Sequence, residues 1–133
     1  MRVVLDTNVL LSGLFVRGLC EAVLDACVAS DGCLIVLSEH LLREFERHAQ
    51  KTFHAPSREI REAMKFLRDH AEIVTPAEVA AKSCRDADDL PVLGTLVAGQ
   101  ADCLVTGDKD LLTLGKFNGR PILSPRQFYE HLK

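Results

Sequence analysis

The chain contains no tryptophan and a single tyrosine, Tyr129, so platforms for stacking successive bases are poorly supplied. It also lacks a surplus of positive charge. Sixteen Lys and Arg stand against nineteen Asp and Glu, a formal charge of −3, which excludes a simple cationic nucleic-acid binder. No apolar run approaches the roughly 20 residues that span a bilayer. An apolar stretch follows Arg2, but Asp6 and Asn8 interrupt it and Leu19 before Cys20 is too large for a small-residue cleavage site. A cytoplasmic protein is the expectation. The cysteines, Cys20, Cys27, Cys33, Cys84 and Cys103, form no CxxC pair and are odd in number, which suggests neither a zinc site nor a disulfide framework. They are expected as reduced thiols packed like small hydrophobes. The histidines (His40, His48, His54, His70 and His131) show no HxxxH or HExxH spacing, and surface or half-buried positions are expected for them. No GxGxxG or Walker A pattern is present, so no nucleotide cofactor is indicated.

The remaining composition is that of an ordinary globular domain, with 47% apolar and 26% charged residues over 133 positions. Without linker, repeat or low-complexity segment, residues 1–133 are expected to form one domain. Short apolar runs at Val3–Leu5, Cys33–Leu37, Glu72–Val74, Asp102–Val105 and Pro121–Leu123 read as buried strands separated by helical patterns. Helices are predicted from Gly18 to about Ala29, from Ser38 to Phe53, after Ser57, after Thr75, from Leu90 to about Ala98 and after Ser124. Thr75-Pro76-Ala77-Glu78 and Ser124-Pro125-Arg126-Gln127 both have the form of a capping box with Pro at the first helical position. The pattern predicts an α/β fold, a three-layer α/β/α sandwich around a parallel sheet of about five strands.

Acidic residues fall where strands end. The first strand runs into Asp6-Thr7-Asn8, the fourth into Thr106-Gly107-Asp108-Lys109-Asp110, and Arg85-Asp86-Ala87-Asp88-Asp89 precedes a helix with Pro91 in its first turn. Ligands of parallel sheets bind at these carboxyl ends. An Asp after a strand also serves as a helix N-cap, so each acid alone has a purely structural explanation. Three clusters at one sheet edge are harder to explain that way, because like charges 4–6 Å apart repel. A hard divalent cation such as Mg²⁺ or Mn²⁺ relieves that repulsion. Glu44 sits at the margin of the stripe set by Leu41 and Phe45, with His48 four residues on as an alternative partner on a solvated face.

The segments VVLDTNVLLSGLF, CRDADDLPVLGTLVAGQADCLVTGDKDLLTL and ILSPRQFYEHL resemble a PIN-domain protein, and more narrowly the bacterial toxin components of toxin–antitoxin pairs. The resemblance covers nearly the whole chain; between Gln50 and Val79 it holds only in pattern. It implies a PIN-like, Rossmann-like fold and an Mg²⁺- or Mn²⁺-dependent endoribonuclease holding one or two ions. Carried onto this sequence, the catalytic and metal-binding acids are Asp6, Glu44, Asp89 and Asp108, with Asp110 beside the last. Asp88 stands as the alternative to Asp89, and Thr7, Asn8 and Thr106 match the polar positions that orient the acids. The resemblance further implies an RNA substrate, products with 5′-phosphate and 3′-hydroxyl ends, a homodimer, and a cognate antitoxin protein.

The acidic balance does not exclude RNA. Setting the five candidate acids aside turns the formal charge of −3 into +2, and two divalent ions bring the intact chain to +1. Arg47 and Lys51, on the helix that carries Glu44, are candidate contacts to the RNA backbone, against the alternative of an ion-paired surface. Rival chemistries lack their residues. An aspartate nucleophile of the DxD type meets Asn8 where its second acid belongs, and Ile73-Val74-Thr75 offers no phospho-acceptor. A PIN domain that binds RNA or protein without cleaving is the remaining alternative.

Overall fold

A computed structural model describes residues 1–132. Its sheet grows around β1 (Arg2–Leu5), whose Val3, Val4 and Leu5 have no exposed surface. Such a run, apolar on both faces, suits a central strand covered above and below. β1 is parallel to β2 (Leu34–Ser38) on one side and to β4 (Cys103–Val105) on the other. β3 (Ala71–Val74) pairs with β2 and forms one edge. β6 (Arg120–Leu123) pairs parallel with β4, and β5 (Lys116–Phe117) folds back antiparallel on β6. The order is β3-β2-β1-β4-β6-β5. The sixth strand exceeds the five expected and comes from Asn118-Gly119, a two-residue hairpin loop with φ of 51° and 77°. Asn-Gly is the pair that tolerates two consecutive positive φ values.

Helices α1 (Thr7–Phe15) and α2 (Leu19–Ala29) connect β1 to β2, and α3 (Glu39–Lys51) and α4 (Ser57–His70) connect β2 to β3. α5 (Leu90–Ala98) returns to β4, α6 (Lys109–Leu114) precedes the hairpin, and α7 (Pro125–Leu132) ends the described chain against α2. The first two crossovers move one way along the sheet and the next two move the other way. Right-handed connections therefore place α1–α4 and α5–α6 on opposite faces. The result is the predicted three-layer α/β/α sandwich. Its core runs from Val23, Leu24, Leu41 and Phe45 through the strands to Leu93, Leu96 and Leu111.

The predicted caps divide. At Ser124 the box forms in full: Gln127 N–H donates to Ser124 Oγ at 3.1 Å and Ser124 N–H to Gln127 Oε1 at 2.9 Å. Ser38 caps α3 by accepting from Leu41 N–H at 3.4 Å. Ser57 is already helical, Pro56 takes the cap position and no side chain caps α4. No helix follows Thr75, contrary to the capping-box expectation. Residues 75–80 run as an extended strap, because Ala77 N–H donates to Gly94 O on α5 at 3.0 Å instead of entering a helical turn. Gly94 permits this approach, since a Cβ there would lie 2.3 Å from Ala77 O.

Candidate active site

Strand order reverses between β1 and β4, and the ends of these two strands carry the first acids. Asp6 is only 5% exposed and caps α1, its Oδ1 accepting from Thr7 N–H at 2.8 Å. Its Oδ2 accepts from the hydroxyl of Thr106, fully buried just past β4, at 2.7 Å. Thr106 Oγ1 in turn accepts from Asp108 N–H at 3.0 Å, and Asn8 Oδ1 from Gly107 N–H at 3.0 Å. The two strand ends are thus laced together by short polar side chains, and Asp108 caps α6 through Asp110 N–H at 2.9 Å. The N-cap reading of these acids is correct. The same carboxylates also face a cleft.

That cleft has a volume of about 440 Å³. Asp6, Asn8 and Asp108 line it from the strand ends, Asp88 and Asp89 from the segment before α5, and Glu44 and Arg47 from α3. Asp89 Oδ2 is the one buried side-chain polar atom among the described residues with no hydrogen-bond partner. Burial pushes the Asp89 carboxyl up to about 7, helped by the charges of Asp108 and Asp6 and by Asp108 lying near enough to share a proton. Burial also raises Asp6, against the opposing hydrogen bonds from Thr106 and Thr7. Glu44 is held below its ordinary value by Arg47, whose guanidinium lies 2.5 Å from Glu44 Oε2. His48 Nε2 is 3.3 Å from the same oxygen.

Asp88 and Asp89 both reach the cleft, and they differ in surroundings. Asp88 is exposed, its N–H held by Asp86 Oδ1 at 2.9 Å, whereas Asp89 carries the buried orphan oxygen. Asp110 does not line the cleft; it sits in the first turn of α6 with Arg85 4.0 Å away. Lys51 also lies outside the cleft lining, while Thr7 contributes to it. His40 and His48, half-buried as expected for the histidines, line it too. The signal was present in the sequence: His40, Glu44 and His48 are spaced by four and share one stripe of α3. Thr95 of α5 and the α3 cap Ser38, both fully buried, hold these two walls together by a hydroxyl hydrogen bond of 2.8 Å.

The donor set is hard and anionic, which fits Mg²⁺ or Mn²⁺ by chemistry. The orphaned Asp89 oxygen is an unspent acceptor within it. Among the described residues, no three His, Cys, Asp or Glu side chains are gathered into a closed metal-binding cluster. The fit is therefore one of donor type and charge.

A parallel sheet with this strand order and acids at its switch point defines a PIN-like α/β protein. The sequence pattern of the PIN domain family matches residues 2–110, and the chain belongs to that family. No curated protein matches the sequence. Among solved structures, a chain of the crystal structure of VapBC2 from Rickettsia felis bound to a DNA fragment from their promoter is similar in fold. The TM-score is 0.66 at 14% identity, covering 93% of this chain and 98% of that one. No described helix is long and apolar enough to cross a membrane.

Proposed function

We propose that this chain is a divalent-metal-dependent endoribonuclease, the toxin of a type II toxin–antitoxin pair, working on RNA as a homodimer controlled by a cognate antitoxin. The observation that carries the reading is the placement of Asp6, Asp89 and Asp108 around one cleft, with a buried Asp89 oxygen left without a partner. Family membership and the VapBC2 likeness support it. Asp6, Asp89, Asp108 and Glu44 would hold Mg²⁺ or Mn²⁺, which supplies Lewis-acid stabilisation and activates water for in-line attack on phosphorus. The chain's own residues set the stage for that attack. Thr106 and Thr7 fix both oxygens of Asp6 and keep its carboxylate from turning. Asp89, whose carboxyl is pushed up by burial and by the charges of Asp108 and Asp6, is the proposed acceptor for the proton leaving the water. Arg47 holds Glu44 at the rim and presents positive charge to the RNA backbone.

Cleavage of mixed structured and single-stranded RNA in Mn²⁺, Mg²⁺ or EDTA, alongside Asp6→Asn, tests the reading. Expected is cleavage that disappears in EDTA and falls by about a hundredfold or more in the variant. A folded wild-type protein that binds RNA and cuts none in either metal would make it a binding module instead.

A further inference from the structure

A second cavity, larger than the catalytic cleft at about 610 Å³, opens beside it. Its floor is the start of α3, and its walls are the 75–79 strap and the first turn of α5. The strap is pinned there by the Ala77–Gly94 hydrogen bond, so the cavity is built into the fold. His40 lines both spaces, so the cavity adjoins the cleft at that side chain. The volume falls within the range of small-molecule sites.

Resting on the ribonuclease reading, we propose that this cavity binds the base and ribose of the nucleotide next to the scissile phosphate, and that it selects bases bearing an exocyclic amine. Val74, Pro76, Val79 and Pro91 give apolar walls against which a flat ring can lie. Two charged side chains at the cavity are available to a ligand. Glu78 has no hydrogen-bond or ion-pair partner among the described residues, and Arg43 makes no hydrogen bond there, meeting only the charge of Glu39 one turn before it. Glu39, by contrast, is occupied by Arg68 through bonds of 2.7 and 2.9 Å. Arg43 immediately precedes Glu44 on α3, with Arg43 lining the cavity and Glu44 the cleft, and its guanidinium suits the adjoining phosphate. A carboxylate only accepts hydrogen bonds, so Glu78 favours guanine, adenine and cytosine, whose amino groups donate. Uracil has no exocyclic amine and offers a carboxylate only its single ring N3–H.

Titrating ¹⁵N-labelled protein in EDTA with the four nucleoside 5′-monophosphates tests this without any cleavage. Expected are shifts at Thr75–Val79 and Arg43, with UMP about tenfold weaker than GMP, and that difference abolished in Glu78→Gln. Val79→Phe, which narrows the cavity, should weaken all four. Shifts confined to the acidic cleft, equal binding of all four bases, or no binding of any mononucleotide would overturn the proposal; the last would assign the cavity to a protein ligand. Cleavage without binding at this cavity overturns the cavity proposal alone. Binding here without cleavage overturns the nuclease reading alone.

Discussion

At the scale of single residues, Asp89 is where fold and chemistry conflict. Its carboxyl is raised from 3.8 to about 7 by burial and by the charges of Asp108 and Asp6. A raised acid binds its proton more tightly in the folded state, so its contribution to stability is greatest below the unfolded value and is lost as pH climbs through the folded one. Between about pH 4 and 7 the metal-free protein should therefore lose stability on account of this side chain. Asp89→Asn fixes the neutral form. It is expected to melt with the wild type at pH 4 and about 2–6 °C above it at pH 8 in EDTA, after allowance for solvent screening of a half-buried group. Thermal melts across that range check the prediction. Added Mn²⁺ should raise the wild-type midpoint at pH 8, as any ligand of the native state must, and leave Asp89→Asn largely unmoved.

At the scale of elements, the extended strap 75–80 shows how a local signal loses to packing. Thr75-Pro76-Ala77-Glu78 has every feature of a helix start, yet Ala77 bonds to Gly94 and Glu78 is left at the cavity rim. Gly94→Ala would drive a Cβ to 2.3 Å from a backbone oxygen. We expect a loss of about 1–3 kcal/mol in urea unfolding, together with loosening of the strap seen as faster amide exchange at Ala77. A variant as stable as wild type would show that the strap shifts freely. The parallel strands, by contrast, were legible because apolar runs buried on both faces have little else to become. Helix α1 escaped because its cap, Asp6, also reads as a site acid; α6 escaped in the same way behind Asp108. The Asn118-Gly119 turn is written plainly in the sequence, but strand β5 has only two residues and leaves no apolar alternation to read.

At the scale of the whole molecule, the proposed approach of RNA to a chain of formal charge −3 rests on basic residues of α3. Arg47 lines the cleft and Lys51, one turn further along α3, does not. The pair Arg47→Ala and Lys51→Ala should weaken RNA binding and flatten its dependence on salt, with the single Arg47→Ala carrying most of the effect and reducing the salt slope by about one. Filter binding at several salt concentrations measures this; a slope unchanged in the double variant would place the RNA elsewhere. The acids that line the cleft were legible as strand-end clusters, and the preference for Asp89 over Asp88 came from the family resemblance alone. Only burial separates Asp89 from its neighbour Asp88 and leaves Asp110 outside the cleft, and burial is a property of the assembled fold.

Two of the candidate catalytic acids, Asp6 and Asp108, are also the caps on which α1 and α6 begin. Knock-outs in living cells inherit that double duty. Alanine at either position removes the chemistry and the cap together, a loss of about 1 kcal/mol that exposes the chain to proteolysis and lowers its abundance. Asparagine keeps the cap. A harmless alanine variant in a growth experiment would thus speak to protein turnover as much as to catalysis, and only the asparagine allele isolates the carboxylate's charge.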